Sequence, residues 1–155
     1  MKVDIVNFGT TRIAVKQHRG PVEQLNFSVG KFIEWRKETG LSPKDSSRTF
    51  GIMYDNPDTT EPSQFRFDIA GEIQAPLPAN LLGIIEQTIP GGRCAKVRHF
   101  GSHSRIGESI LPLYRDWLPS SSEELRDYPL FFHYINLLPE TPEAELITDI
   151  YLPLL

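Results

Sequence analysis

The residues best suited to chemistry lie in two strand-like segments near the end of the chain, LFFHYIN at 130–136 and LITDIYLPL at 146–154. Alternation along an extended strand puts Phe132, Tyr134 and Asn136 on one face, with Phe131, His133 and Ile135 on the other. In the later segment Ile147, Asp149 and Tyr151 share a face. A carboxylate between apolar and aromatic neighbours is costly unless it is solvated, paired or facing a ligand. Asp68, close to Tyr54, is its counterpart upstream. Aromatic faces around an acid suit a lipophilic cation, because ring faces attract positive charge and the acid neutralises it in a low dielectric. The competing reading is a plain core, in which each aspartate pairs with an arginine such as Arg66 or Arg126. The candidate ligand-binding residues are therefore Tyr54, Asp68, Phe132, Tyr134, Asp149 and Tyr151, joined by the helix aromatic Tyr114.

Other reactive side chains assemble nothing by motif. There is no Gly-x-Ser-x-Gly elbow, no phosphate-cradling glycine loop and no metal-ligand spacing among the histidines. His99 and His103 are four apart, but Gly101 between them interrupts any single helix face, so neither a metal nor a cofactor is expected. His18 and His99 each end a strand just before a glycine, either at a pocket mouth or capping the following turn. Cys94 reads as a small apolar residue of its strand, and Trp35 and Trp117 as seals at helix ends. Glu108 is either an acid/base or a solvated helix residue.

These residues must be positioned by a repeated scaffold. Arg12, Ala14, His18 and Gly20 match Arg93, Ala95, His99 and Gly101, all 81 residues apart. Asp68-Ile69 matches Asp149-Ile150 at 81, Trp35 matches Trp117 at 82, and Tyr54 matches Tyr134 at 80. Each copy predicts a strand (11–19; 93–100), a glycine turn, and a helical stretch with apolar residues three and four apart. Two further strands close each copy, at 49–55 with 65–73 and at 130–136 with 146–154. SPKDSSRT and LPSSSEELRD read as loops, and DNPDTTEPS as a solvated turn. Extra strands precede the copies at 2–7 and 82–89, and PGG at 90–92 predicts a hairpin turn into the second copy. The fold class is α+β: one domain of two repeats, roughly 1–80 and 81–155, with helices on one face of an antiparallel sheet. A pseudo-twofold between the copies would leave a ligand cleft at their seam.

Bulk properties narrow the partners. The formal net charge of −4 and the scattered lysines and arginines give no reason to expect nucleic acid. A single cysteine excludes a disulfide framework, and no apolar run has signal-peptide or membrane-span length, so a reducing cytoplasm and no membrane are expected. A strand-like segment at the very start leaves no DNA-reading module expected upstream.

Four stretches carry a resemblance: MYDNPDTTEPSQFRFDIAG, IPGGRCAKVRHFGSHSRI, LYRDWLPSSSEELRDYPLFFHYIN and TDIYLPL. Together they resemble the GyrI-like family, which includes effector-binding domains of AraC-type transcription activators and the DNA gyrase inhibitory protein. The resemblance implies a duplicated β-α-β-β fold that binds amphipathic, frequently cationic, small molecules in a cleft between the halves. A protein contact with DNA gyrase or a transcription regulator, or hydrolysis of strained electrophilic natural products, are the alternatives it carries. Many members have a glutamate in the pattern Phe-Glu-x-Tyr; here Phe132 stands in its place while Tyr134 matches the tyrosine. That change either shifts any cation contact to Asp149 or Asp68 or weakens the cation preference, and it lowers the expectation of hydrolysis.

Overall fold

The computed structural model describes residues 1–155, which divide into two compact units. Unit N is Thr10–Pro90; unit C is Gly91–Leu155 together with Met1–Gly9. Unit N holds β2 (Thr11–Arg19), α1 (Leu25–Thr39), β3 (Thr49–Met53), β4 (Arg66–Glu72) and β5 (Ile84–Ile89). Its strands lie antiparallel in the order β3-β4-β2-β5. Unit C holds β1 (Asp4–Phe8), β6 (Gly92–Phe100), α2 (Gly107–Pro112), α3 (Leu118–Ser121), β7 (Leu130–Tyr134) and β8 (Ile147–Pro153). Its strands lie antiparallel in the order β1-β6-β8-β7. The fold is α+β, as the sequence predicts.

The local turn signal at PGG does not make a hairpin. β5 pairs with β2 (Thr11↔Ile89), and β6 pairs with β1 (Phe8↔Gly92), so each copy's leading strand is exchanged for the other's. Pro90 and two glycines supply a tight change of direction whichever strand is the partner, so turn chemistry alone could not choose. Gly92 sits at φ 147, with the Arg126 guanidinium 3.1 Å from where a Cβ would stand. A side chain there would strain the backbone and displace Arg126.

The helices bury apolar faces against their sheets, with Phe32 and Trp35 of α1 and Leu113 beyond α2 fully covered. α1 ends at Gly40 in the left-handed region, φ 65, and α3 ends the same way at Ser122, φ 63. These caps are 82 apart because the second helix contains one more residue. Pro112 lacks the N–H an α-turn needs, and the five residues Leu113–Trp117 follow as a π turn. The same insertion accounts for the spacing of Trp35 and Trp117. It also makes the LPSS of the expected loop helical.

Strand register corrects the Tyr54–Tyr134 match. Ile52 faces Asp68 across β3–β4, and His133 faces Asp149 across β7–β8. Ile52 and His133 are therefore equivalent, at 81, and Tyr134 corresponds to Met53. A slip of one residue in a strand moves a side chain to the opposite face.

Candidate functional site

Each unit ties its helix to its central strand with one histidine. His18 Nε2 lies 2.9 Å from the Pro21 carbonyl and Nδ1 lies 2.8 Å from Ser28 Oγ on α1. His99 repeats this, with Nε2 3.0 Å from the Ser102 carbonyl and Nδ1 2.8 Å from Ser109 Oγ on α2. A carbonyl only accepts, so Nε2 carries the proton and Nδ1 takes the serine hydroxyl's hydrogen. Both histidines serve as turn caps; the serines, also 81 apart, had no signal beyond the offset.

The histidines mark the helix-covered face, and the register assigns every other strand residue from them. In unit C, His99 pairs with Thr148 and Thr148 pairs with Tyr134, so Phe132 and Tyr134 share that face. Asp149 and Tyr151 stand on the opposite face, with Lys96, Arg98 and Phe131. The aromatic pair and the acid of the expected site are thus separated by the sheet itself. In unit N, Asp68 and Tyr54 come together on the face away from α1, where Tyr54 lies under the Arg19 and Arg66 guanidiniums at 5.6 and 5.4 Å.

Both aspartates are buried and already paired. Asp149 accepts from Arg98 Nε at 2.8 Å and Nη2 at 3.1 Å, with Lys96 Nζ at 3.5 Å. Burial works to raise its carboxyl, but the Arg98 bond and the two cations overcome that and hold it below the usual range. Asp68 accepts from Arg19 through Oδ1 at 2.9 Å, while Oδ2 has no hydrogen-bond partner. Tyr54 feels the Asp68 charge without meeting Oδ2 in hydrogen-bond geometry. Burial first, then that negative charge, pushes its phenol up to about 12. Neither partner arginine is the one named from sequence: Arg66 goes to Asp55, and Arg126 to backbone carbonyls of Gly91, Arg93 and Leu154. Arg19 and Arg98 were legible in principle, as cations one strand over from each acid.

Tyr151 is a core aromatic, stacked on Phe131 at 5.0 Å and edge-on to Phe8 at 5.2 Å. Phe132 is fully buried, and Tyr114 lies partly exposed on the π turn. Tyr134 is partly exposed against the His103 ring at 4.9 Å, and burial raises its phenol, which stays protonated. Cys94 is buried, and desolvation pushes its thiol up despite Arg126 beside it. Glu108 is exposed and bonded to Arg105 at 2.9 Å, which holds its carboxyl low. A general acid at neutral pH needs the opposite shift. An open pocket of about 570 Å³ in unit C is lined by Met1, Lys2, Asp4, Lys96, Arg98 and Phe100 among others. Its lining mixes the cations Lys2, Lys96 and Arg98 with the acids Asp4 and Glu108, and its apolar surface comes from Met1, Val97 and Phe100.

A buried cation also went unread. Arg36 of α1 donates to Thr49 Oγ1 at 2.8 Å and Ser42 Oγ at 3.3 Å, over the Phe32 ring, and desolvation lowers it to about 10. Gly71 makes room for it: a Cβ there would run into Ser42 Oγ, Arg36 Nη2 and the Phe32 ring. This is helix-to-sheet packing.

Comparison with known proteins gives a consistent result. The family model for the GyrI-like small molecule binding domain matches residues 1–155. The chain is 46% identical over 154 residues to the probable transcriptional regulator YgiV of Escherichia coli (strain K12), covering 99% of this chain and 96% of that one. Its structure resembles the C-terminal domain of EcmrR, with TM-score 0.78 and 16% identity over 99% of this chain and 97% of that one. It covers 57% of the EcmrR chain seen in a complex with DNA. It also resembles SAV2435 bound to tetraphenylphosphonium, with TM-score 0.58 and 11% identity over 100% of this chain and 94% of that one. At such identities the structural likenesses establish the fold. No helix is long and apolar enough to cross a membrane.

Proposed function

Because the chain belongs to the family of GyrI-like small molecule binding domains, we propose that it is a sensor or sink for an amphipathic small molecule, and that it does not select this molecule for positive charge. The observation that carries this reading is the pairing of both buried acids. A lipophilic cation has to compete with Arg98 and Lys96 for Asp149, and with Arg19 for Asp68. Each competitor is tethered and already aligned, whereas a free cation must give up its hydration and its freedom to move. On the helix-covered face of unit C the partly exposed Tyr134 offers ring surface, and the position where many relatives carry glutamate holds the buried Phe132. The frequent cation preference of the family therefore does not carry over. What remains is apolar contact with polar groups that orient the ligand.

A thermal-shift comparison of tetraphenylphosphonium, triphenylphosphine oxide and tetraphenylborate tests this with bodies of three or four phenyl rings and three charges. A ligand of the native state at a hundredfold excess over Kd adds about 2.7 kcal/mol of stability. The expected result is that the cation and the neutral oxide bind within about threefold of each other, in wild type and in Asp149→Asn alike. A preference for the cation of tenfold or more, worth about 1.4 kcal/mol and abolished in Asp149→Asn, would restore the charged anchor. Absence of any shift with these probes or with a broader lipophilic panel would remove the binding role.

A further inference from the structure

The duplication supplies an internal control for unit C. At three neighbouring positions on the helix-covered face, apolar residues of unit N become polar in unit C. Val22 corresponds to His103, Met53 to Tyr134, and Phe67 to Thr148, each 81 residues apart. The flanking histidine, His18 or His99, is the same in both. The scaffold therefore stands without polarity at these positions, since unit N builds the same strands and the same histidine staple with Val, Met and Phe.

Two of the three polar groups are also poorly served by the protein itself. Thr148 has no exposed surface, and its Oγ1 has no hydrogen-bond partner. Tyr134 stands across from it on β7 and His99 across on β6, with side chains about 5 Å apart in such pairs. The His103 ring lies against Tyr134 at 4.9 Å, and its buried Nε2 also has no partner. Most buried polar atoms in proteins are satisfied, so two such atoms beside one phenol ask for an explanation. The strand neighbours on this face, Val97, Phe132 and Ile150, are uncharged; the one carboxylate whose charge reaches His103, Glu143, is itself bonded to Ser102. Tyr134 and His103 are both partly exposed, so approach is from their side.

We infer that Thr148 Oγ1, His103 Nε2 and the Tyr134 hydroxyl form a hydrogen-bonding seat within unit C for the uncharged polar end of an amphipathic small molecule, a hydroxyl or a carboxamide. A threonine hydroxyl both donates and accepts, the phenol donates, and Nε2 of a neutral imidazole donates or accepts according to its tautomer. That set matches a group with its own donor and acceptor, and it contains no carboxylate to hold an ammonium. The partly exposed Tyr134 ring, backed by the buried Phe132, supplies surface for the ligand's apolar body. The inference rests on the small-molecule reading above and specifies which chemistry that ligand presents.

Isothermal titration with three probes of one slim body tests it: 4-hydroxybiphenyl, biphenyl-4-carboxamide and the cation of 4-phenylbenzylamine. The variants are Thr148→Val, which keeps shape, and His103→Val, which copies unit N. If His103→Val does not fold, Tyr134→Phe takes its place. The two neutral probes are expected to bind wild type and to weaken about tenfold in each variant, while the cation changes less than twofold. Neutral binding that survives both variants within twofold overturns the seat and leaves the binding role standing. Failure of both neutral probes at millimolar concentration also overturns the seat, and the phosphonium, phosphine oxide and borate probes then decide the broader reading separately. Equal losses for neutral and cationic probes would mean that the variants disturb packing, which overturns it as well.

Discussion

Unit N and unit C are built with the same devices and differ at one patch of the helix-covered face. Both carry the strand–helix histidine bonded to a serine, and both carry a buried aspartate paired to an arginine from β2 or β6. Unit N fills the face beside its histidine with Val22, Met53 and Phe67; unit C places His103, Tyr134 and Thr148 there. In a duplicated fold each half is the other's control. Residues that agree answer to the scaffold, and residues that turn polar without gaining partners answer to something outside it.

The strongest way to break this comparison is to remove the shared staple. His18→Ala and His99→Ala each delete a buried ring and leave a serine and a turn carbonyl short of a partner. Each is expected to cost about 3 kcal/mol, the two agreeing within about 1 kcal/mol, by urea denaturation of the whole chain. If His99→Ala proved far more damaging than His18→Ala, His99 would be more than a staple, and the seat would extend to it.

The paired acids come next and sharpen the comparison. Asp149 meets two cations and three donor atoms; Asp68 meets Arg19 through one oxygen. Arg98 is 45% exposed, so solvent screens part of the pair's worth. Asp149→Asn is expected to cost about 2 kcal/mol and Asp68→Asn about 1 kcal/mol. The folded carboxyl of Asp149 is depressed, so its contribution is complete above the unfolded value near pH 4 and is lost as pH falls through the folded one. Denaturation midpoints of wild type and Asp149→Asn should therefore converge on acidification below about pH 4. A constant gap between them would show that the ion pair contributes nothing.

Much of this scaffold was legible in the sequence, because the 81-residue offset carries the strands, the histidines and the aspartates together. What escaped had physical causes. The exchange of β1 and β5 is invisible to turn chemistry, since Pro90-Gly91-Gly92 serves either partner. The split of Phe132 and Tyr134 from Asp149 and Tyr151 depends on inter-strand register, and single-strand alternation fixes only which residues agree within one strand. The Tyr54–Tyr134 match failed for the same reason, by one residue. Thr148 drew no notice because a threonine in a strand is ordinary; only its buried, unpartnered hydroxyl beside an equivalent Phe67 makes it unusual.

That hydroxyl gives the smallest effect and the cleanest separation of scaffold from task. Valine has the shape of threonine without the oxygen, and no hydrogen bond within the protein is lost in the exchange. Thr148→Val should therefore stabilise the unliganded chain by about 1 kcal/mol, raising Tm by roughly 2–4 °C in a chain of this size. A residue kept for packing would not show a gain on replacement. A residue kept for binding is expected to, because sites commonly hold polar groups that the fold alone would do better without. If the variant were instead less stable by 1 kcal/mol or more, the hydroxyl would have an internal partner in solution. The divergence between the two units at this position would then be a matter of core chemistry, and the seat would lose its deepest group.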